Sequence, residues 1–209
     1  MNRLWQHLKD RISRWTSTVR WEVKETVTPA ELDVLRLKLK KDYYIILTRH
    51  NGFLSTYAIS IAHFLLTLGK RGYYAHVLMN LEDEANKDAD FRFIEATGKG
   101  THFSDFKDVF DPQITSVALL KPKSMTLEKW TRAMDKAKTA LGRPYDTVFD
   151  LATDNELSCV ELVRFALRAE PTYDEDFKNF EAMIAKYKNL TPQMFFDCPD
   201  FEIVWETRH

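Results

Sequence analysis

Hydrophobic positions in the first twenty residues recur with the period of a helix, and arginine and lysine dominate the charged positions between them. The recurring positions are Leu4, Leu8, Ile12, Trp15 and Val19. This pattern predicts a basic amphipathic helix within residues 1–27. Such a helix packs on its own domain, lies on an anionic membrane surface or docks on a partner protein, and the pattern leaves all three open.

Further helices are predicted where helical periodicity is bounded by caps and helix breakers. Thr28-Pro29-Ala30-Glu31 has the form of a capping box with proline at the first helical position, and it starts a helix that runs to about Lys40. The apolar stretch 54–68 ends at Gly69 and is shorter than a bilayer span of about 20 residues, so it predicts a core helix. Two more helices are predicted, over residues 126–141 and 158–168.

Runs of β-forming residues predict a set of strands, of which the last lies at an edge of the sheet. These strands are 42–48, 73–81, 91–96, 114–121 and 201–205. A polar loop, 82–90, joins the second and third strands, which are expected to pair as a hairpin. Residues 98–102 contain two glycines and are predicted to form a flexible loop. The order of elements predicts one α+β domain over 28–209, with a mostly antiparallel sheet.

Composition narrows the classes of function. Charges nearly cancel, with a formal net charge of -1, so no global field indicates a nucleic-acid partner. Two cysteines are too few for a disulfide framework, and no His, Cys, Asp and Glu set has metal-ligand spacing. No glycine-rich phosphate loop occurs, so neither a metal nor a cofactor is predicted. The first residues lack the apolar run of a secretory signal, which predicts a cytoplasmic protein.

Cys159 is the first candidate for chemistry. Ser158-Cys159-Val160-Glu161 satisfies the capping-box pattern and places Cys159 at the first helical position. Unpaired backbone N–H groups and the positive end of the helix dipole favour a thiolate there. The alternative is a small buried hydrophobic residue that begins an ordinary helix. Cys198, between Asp197 and Pro199, has neither a helix N-terminus nor an obvious base, and is interpreted as a structural thiol.

His76 and Glu95 are the second and third candidates. His76 stands at the start of an apolar strand, where a lone histidine is usually a core residue. Glu95 lies within an apolar strand, where a half-buried carboxylate needs a partner, and a histidine on the paired strand would supply one. Together with Cys159 they have the residue types of a nucleophile, a base and an orienting group. Weaker candidates for lining a cleft are His50, His63 and His102.

The order of these segments resembles the circularly permuted members of the NlpC superfamily, the YiiX-like papain-fold cysteine hydrolases, in which the histidine strand precedes the cysteine helix. The resemblance covers about residues 42–205. It rests on Tyr43-Tyr44-Ile45-Ile46-Leu47-Thr48 with the Gly52 turn, Ala75-His76-Val77, Phe93-Ile94-Glu95-Ala96, Leu141-Gly142-Arg143-Pro144-Tyr145-Asp146 and Ser158-Cys159-Val160-Glu161-Leu162-Val163. It implies a papain-like fold, in which an antiparallel sheet packs against helices that include the one starting at the catalytic cysteine.

The resemblance also implies roles for single residues. Cys159 would be the nucleophile, His76 the base and Glu95 the group that orients the imidazole. Tyr145 stands where the family carries a Gly-x-x-Tyr-Asp element, and we expect its hydroxyl to reach a developing oxyanion. Family members commonly have tyrosine before the cysteine and serine after it, whereas this chain has Ser158 and then valine. Contacts between the substrate and Ser158 are therefore expected to be particular to this chain.

The implied activity is hydrolysis of an amide bond in a peptide, in peptidoglycan or in a lipid-like molecule. Without a secretion signal, a peptidoglycan substrate requires export by another route, lysis or association with a virion. Peptidoglycan and another amide are therefore equally favoured as the substrate. Two alternatives stay open. One is a lipid-directed thiol acyltransferase or hydrolase held at a membrane by residues 1–27. The other is a catalytically silent binding module with the same fold.

Overall fold

The computed structural model describes residues 26–50, 59, 72–81, 92–147, 151 and 154–208. Its helices are α1 Pro29–Leu39, α2 Phe106–Val109, α3 Leu127–Lys138, α4 Cys159–Leu167, α5 Tyr173–Asp176, α6 Lys178–Tyr187 and α7 Pro192–Asp197. Its strands are β1 Ile45–His50, β2 His76–Asn80, β3 Arg92–Thr97, β4 Gly100–Asp105, β5 Ile114–Pro122 and β6 Phe201–Arg208. Residues 1–25, which hold the predicted N-terminal helix, the loop 82–90 and His63 lie outside the described residues. Of the predicted helix 54–68 only Ile59 is described, and it is helical.

Six strands form one sheet in the order β4-β3-β2-β1-β5-β6, and each neighbouring pair in the described chain is antiparallel. The expected hairpin pairing of β2 with β3 is present, with Met79 opposite Ile94. Strand β6 lies at one edge, as predicted. A mixed α+β domain with an antiparallel sheet is therefore confirmed.

Apolar residues cover both faces of the sheet. On one face, α3 and α4 enclose a core that includes Trp130 and Leu162, each at most 1% exposed. On the other face, α1 and the short helix α2 pack through Leu35 and Phe106. Helix α4 lies against β2 and β3. This packing brings the N-terminal residues of α4 to the strands that carry the histidine and the glutamate.

The predicted flexible loop at 98–102 is wrong. Gly98 and Lys99 form a two-residue turn, and Gly100 begins strand β4, which pairs with β3 along its whole length. Gly100 has a φ of +88°, a conformation that glycine adopts without steric cost. Glycine-rich turns of this kind join hairpin strands, so the composition that indicated a loop marks a hairpin instead.

Helices α5, α6 and α7 fill the interval between α4 and β6 and were not predicted. Helix α6 ends at Tyr187 and is followed by Lys188, which has a φ of 51°. The buried carboxylate of Asp200 accepts a hydrogen bond from the backbone N–H of Phe180, 2.8 Å away, and so ties α6 to the start of β6. None of the described helices is both long enough and apolar enough to cross a membrane.

Candidate active site

The capping box places Cys159 at the N-terminus of α4. The Ser158 hydroxyl accepts a hydrogen bond from the Glu161 N–H at 3.5 Å, and the Glu161 carboxylate accepts one from the Ser158 N–H at 2.8 Å. This reciprocal pairing fixes the first turn of the helix. Cys159 is 3% exposed, so its thiol lies at the edge of the core and faces the positive end of the helix dipole.

His76 and Glu95 form a close pair on neighbouring strands. The His76 Nε2 lies 2.6 Å from the Glu95 Oε2. The carboxylate is 10% exposed and the imidazole 23%, so the pair is largely shielded from water. Because Nε2 is engaged by the carboxylate, Nδ1 is the ring nitrogen left to interact with another group.

The second oxygen of Glu95 is held from strand β4. The Ser104 hydroxyl donates a short hydrogen bond to Oε1, and the His102 Nε2 lies 3.6 Å from the same oxygen. Burial by itself raises the pKa of Glu95, but the bonds from His76 and Ser104 and the charges of His76 and His102 lower it to about 2. Glu95 is therefore ionised at neutral pH.

Cys159 and Glu95 both act on the His76 imidazole. Burial lowers the pKa of His76, but the interactions with Cys159 and with the Glu95 carboxylate together raise it to about 10. Burial and the neighbouring Cys159, Glu161 and Asp146 raise the pKa of the Tyr145 phenol well above its ordinary value. The phenol therefore keeps its proton at neutral pH and remains a donor.

A carboxyl pair lies behind the cysteine helix. Glu161 and Asp146 are both buried and share a side-chain hydrogen bond. Burial and the charge of Asp146 raise the pKa of Glu161 to about 7, although the bonds from Ser158 oppose this change. The Leu151 N–H, which belongs to a residue with a φ of 55°, also points at the Glu161 Oε1 at 3.3 Å. Below neutral pH Glu161 is therefore mostly protonated.

Backbone bonds join the two halves of the site. The Thr101 N–H in β4 donates to the Arg143 carbonyl at 2.9 Å, and the Leu157 N–H donates to the Pro144 carbonyl at 3.0 Å. The segment 142–147, which carries Tyr145, is thereby tied to the histidine side of the sheet and to the residue before the Ser158 cap. Strand β4, Tyr145 and Cys159 thus keep fixed relative positions.

Residues 52–205 match the family described as "Permuted papain-like amidase enzyme, YaeF/YiiX, C92 family". The chain belongs to this family. Its general class is therefore that of a papain-like cysteine hydrolase of the amidase or peptidase type, and the expected permuted papain-like fold is confirmed.

A crystal structure described as the metalloprotein yiiX from Escherichia coli O157:H7 has the same fold as this member of the C92 family. The TM-score is 0.55 at 18% sequence identity, over 81% of this chain and 99% of the other. Comparison with curated proteins gave no match. In the described ranges of the C92 chain, no group of three or more His, Cys, Asp or Glu side chains is placed to hold a metal ion.

The residues singled out in the sequence fall into two groups in this C92 member. Those that meet at the start of α4 are Cys159, His76, Glu95, Tyr145 and Ser158. Cys198 lies elsewhere, 2% exposed at the end of α7, and burial raises the pKa of its thiol to about 12. His50 lies 3.5 Å from Asp111 and does not contact Glu95.

Sequence reasoning missed Ser104 and assigned His102 to a loop. Both side chains contact Glu95, and they stand two positions apart on β4, as residues on one face of a strand do. That spacing was the available signal. The Asp146 and Glu161 pair was also missed, because it depends on how the chain folds between Tyr145 and Ser158.

Proposed function

We propose that this chain is an amidase or peptidase in which Cys159 is the nucleophile, His76 the general base and Glu95 the orienting group. The observation that carries the proposal is the 2.6 Å contact between the His76 Nε2 and Glu95. It leaves the other ring nitrogen, Nδ1, to face the thiol of Cys159, which is one of the groups that raise the pKa of His76. A nucleophile, a base and a group that orients the base are the parts that acyl transfer requires.

The reaction follows from these positions. His76 Nδ1 takes the proton of the Cys159 thiol, and the sulfur attacks the carbonyl carbon of the amide. The tetrahedral intermediate collapses when His76 returns that proton to the leaving nitrogen, which departs as an amine and leaves a thioester on Cys159. Water then gives a proton to His76 and attacks the thioester, and the acid product and the free thiol are released. Glu95 stays ionised throughout and stabilises the imidazolium.

Tyr145 is proposed to donate its hydroxyl to the oxygen that becomes negative in each tetrahedral intermediate. The support for this role is the interaction of Cys159 with the Tyr145 phenol, together with the raised pKa of that phenol, which keeps its proton in place at neutral pH. A fixed donor at such a position is worth about 10²- to 10³-fold in rate.

The substrate is proposed to be a peptide or peptidoglycan amide, with family membership as the support. Ser158 is fully buried within the capping box. We therefore assign it to holding the cysteine helix rather than to contacting substrate. The substrate groups recognised next to the thiol must then contact other residues.

The test is the rate at which iodoacetamide alkylates Cys159, followed by mass spectrometry as a function of pH in the parent protein and in His76→Ala. Cys198 does not compete, because the pKa of its thiol is raised to about 12. We expect the parent to react rapidly at neutral pH and His76→Ala to react more slowly, because the imidazolium that stabilises the thiolate is gone. The matched control is His50→Ala, which removes a strand histidine that pairs with Asp111. Equal rates in parent and His76→Ala contradict the proposal and favour a catalytically silent binding module.

A further inference from the structure

The residues that lead into strand β2 are held through their backbone. The side-chain oxygen of Gln193, in α7, accepts hydrogen bonds from the N–H groups of Tyr73 at 2.7 Å and Tyr74 at 3.2 Å. The Arg49 guanidinium, in β1, donates to the Tyr73 carbonyl at 2.7 Å. His76 is the first residue of β2 and of its pairing with β1. The bonds from Gln193 and Arg49 therefore act just before the strand that carries the candidate base.

The Gln193 amide is held in one orientation. Its nitrogen donates to the Asp197 Oδ1, 2.9 Å away and about one turn further along α7, so its oxygen faces the N–H groups of Tyr73 and Tyr74. The Gln193 side chain is buried, which limits competition from water for these bonds. Tyr74 is fully buried as well, so its N–H needs an acceptor within the protein. Gln193 supplies that acceptor.

Helix α7 is firmly packed and gives this amide a fixed support. Phe195 of α7 is fully buried, and its ring centroid lies 4.6 Å from that of Phe180 in α6. The ring of Phe196, the next residue, lies 5.3 Å from the Tyr74 ring. Helix α7 thus contacts both the core and the segment that Gln193 binds, so the two keep one relative position.

The backbone before β2 decides where the His76 ring points. Only Ala75 separates Tyr74 from His76, and the Ala75 N–H donates to the Thr48 carbonyl at 3.0 Å. A shift of the backbone at Tyr74 is therefore passed to His76 across a single residue. The contact between the His76 Nε2 and the Glu95 Oε2 is 2.6 Å long, and a hydrogen bond weakens steeply when its distance or angle is disturbed.

We propose that Gln193 is a positioning residue for the reaction, because it fixes the backbone that aims the His76 ring at Glu95 and Cys159. This inference rests on the proposed roles of those three residues. Misplacement of a reacting group by about 1 Å, caused by a change far from the chemistry, lowers a catalytic rate by about 10²-fold. An acceptor in α7 is therefore able to influence the reaction through the backbone alone.

The experiment compares Gln193→Met with Asn80→Leu. Gln193→Met keeps the length of the side chain and removes the acceptor. The Asn80 amide is a matched control at the other end of β2, because it is also buried and its oxygen accepts from the Tyr44 N–H at 2.5 Å. Both variants take a side-chain acceptor away from a buried N–H, so both are expected to unfold at lower urea concentration than the parent. Only Gln193→Met is expected to disturb His76.

The position of His76 is read from the far-downfield NMR signal of the proton between its Nε2 and Glu95. That proton is in place at pH 7, because the pKa of His76 is raised to about 10. We expect the signal to move upfield in Gln193→Met, as the bond lengthens, and to stay in place in Asn80→Leu. Alkylation of Cys159 by iodoacetamide at pH 7 should slow in Gln193→Met, by no more than in His76→Ala, and should keep the parent rate in Asn80→Leu.

Two further variants separate positioning from a general loss of stability. Gln193→Asn keeps the amide but withdraws it by one methylene group, so the signal should move in the same direction by a smaller amount. This variant carries the test if Gln193→Met does not fold. Gln193→Glu combined with Asp197→Asn exchanges donor and acceptor, because the new carboxylate accepts from both N–H groups and the new amide donates to it. The double variant should restore the parent signal and the parent alkylation rate.

The signal and the alkylation rate distinguish this inference from the proposed function. A signal that moves no further in Gln193→Met than in Asn80→Leu overturns the role of Gln193, whatever the alkylation rates. A double variant with the displaced signal of Gln193→Met also overturns it, because the acceptor has then been restored without effect. If the signal moves as expected but parent, Gln193→Met and His76→Ala are alkylated equally fast, Gln193 positions His76 and the proposed function fails.

Discussion

The His76 Nε2 and the Glu95 Oε2 lie 2.6 Å apart, and each residue stabilises the charged form of the other. Burial opposes both charges, yet the net effect lowers the pKa of Glu95 from 4.5 to about 2 and raises that of His76 from 6.5 to about 10. Cys159 also contributes to the change in the pKa of His76. The same ion pair therefore affects both the pH dependence of folding stability and the protonation of His76 in the candidate site.

Glu95→Gln is expected to lower the stability of the protein in a defined pH window. The lowered pKa of Glu95 stabilises the fold above pH 4.5, and this contribution is lost as the pH falls towards about 2. The raised pKa of His76 stabilises the fold fully below pH 6.5, and this contribution is lost as the pH rises through about 10. The difference in unfolding free energy between parent and variant is therefore largest between pH 4.5 and pH 6.5.

Urea denaturation at a series of pH values measures this difference. The matched control is Asp111→Asn, which breaks a contact of 3.5 Å with His50 whose side chains are 21% and 31% exposed. Exposed pairs of this kind contribute about 0 to 1 kcal/mol, so the control should change stability little at any pH. If the difference in unfolding free energy between the parent and Glu95→Gln did not change with pH, Glu95 and His76 would not form an ionised pair.

Tyr145→Phe is expected to reduce the rate of acyl transfer while leaving the fold intact. The ring still packs against the core, but the hydroxyl that is proposed to donate to the oxyanion is lost. By analogy with oxyanion donors, kcat should fall by about 10²- to 10³-fold with little change in KM.

The control for this change is Tyr43→Phe. The Tyr43 hydroxyl donates to the Met125 carbonyl at 2.9 Å, remote from the cysteine, so its removal should cost about 1 kcal/mol of stability and leave kcat unchanged. Once a cleavable amide has been found, steady-state kinetics measures both variants. If Tyr145→Phe kept the kcat of the parent, the Tyr145 hydroxyl would have no role in the reaction.

Local rules were sufficient to predict part of the site. The capping box at Ser158 and Glu161 follows from four adjacent residues, and it placed Cys159 at a helix N-terminus. The pairing of the strands that carry His76 and Glu95 needed only a hairpin between consecutive elements. In both cases the contact lies close in sequence, where periodicity and capping are informative.

The rest of the site depends on features that a single sequence hides. His102 and Ser104 were lost because two glycines in a tight turn have the composition of a flexible loop. The contact of Asp146 with Glu161 spans a segment in which Leu151 has a positive φ, and no local rule places a leucine there. Helix α6 lacks a side-chain cap at its N-terminus, so the usual start signal was absent.

Glu161→Gln is expected to stabilise the protein at and above neutral pH. Because burial and Asp146 raise the pKa of Glu161 from 4.5 to about 7, the folded state binds the extra proton, and stability falls as the pH rises from 4.5 to 7. A neutral amide accepts from Ser158 with its oxygen and donates to Asp146 with its nitrogen, although that nitrogen loses the bond from the Leu151 N–H. The variant should therefore be slightly less stable than the parent near pH 4.5 and should exceed it at pH 8.

Thermal denaturation at these two pH values measures the effect. The control is Glu170→Gln, which replaces another buried glutamate whose partner is the Arg132 guanidinium at 2.7 Å. That change weakens an ion pair and should destabilise the protein at both pH values. If Glu161→Gln were less stable than the parent at pH 8, the folded protein would favour the ionised form of Glu161, and its pKa could not be raised.

Gly100→Ala is expected to be the most damaging of three related glycine substitutions. Gly98 has open space around its added Cβ and no positive φ, so Gly98→Ala should be nearly neutral. Gly142 has a φ of +81° and equal space, so Gly142→Ala should cost about 1–2 kcal/mol of backbone strain. Gly100→Ala adds to similar strain a Cβ that lies 2.5 Å from the Arg143 carbonyl oxygen.

The added Cβ of residue 100 overlaps a backbone oxygen, that of Arg143, and not the end of a flexible side chain. The overlap can therefore be relieved only if the backbone of β4 or of residues 142–147 moves. Either shift displaces His102 or Tyr145, so Gly100→Ala should also slow the alkylation of Cys159, whereas Gly142→Ala should not. Urea denaturation and alkylation rates measure the two effects in the three variants. Equal losses of stability in Gly100→Ala and Gly142→Ala would mean that the contact between β4 and Arg143 is loose and does not hold the two halves of the site together.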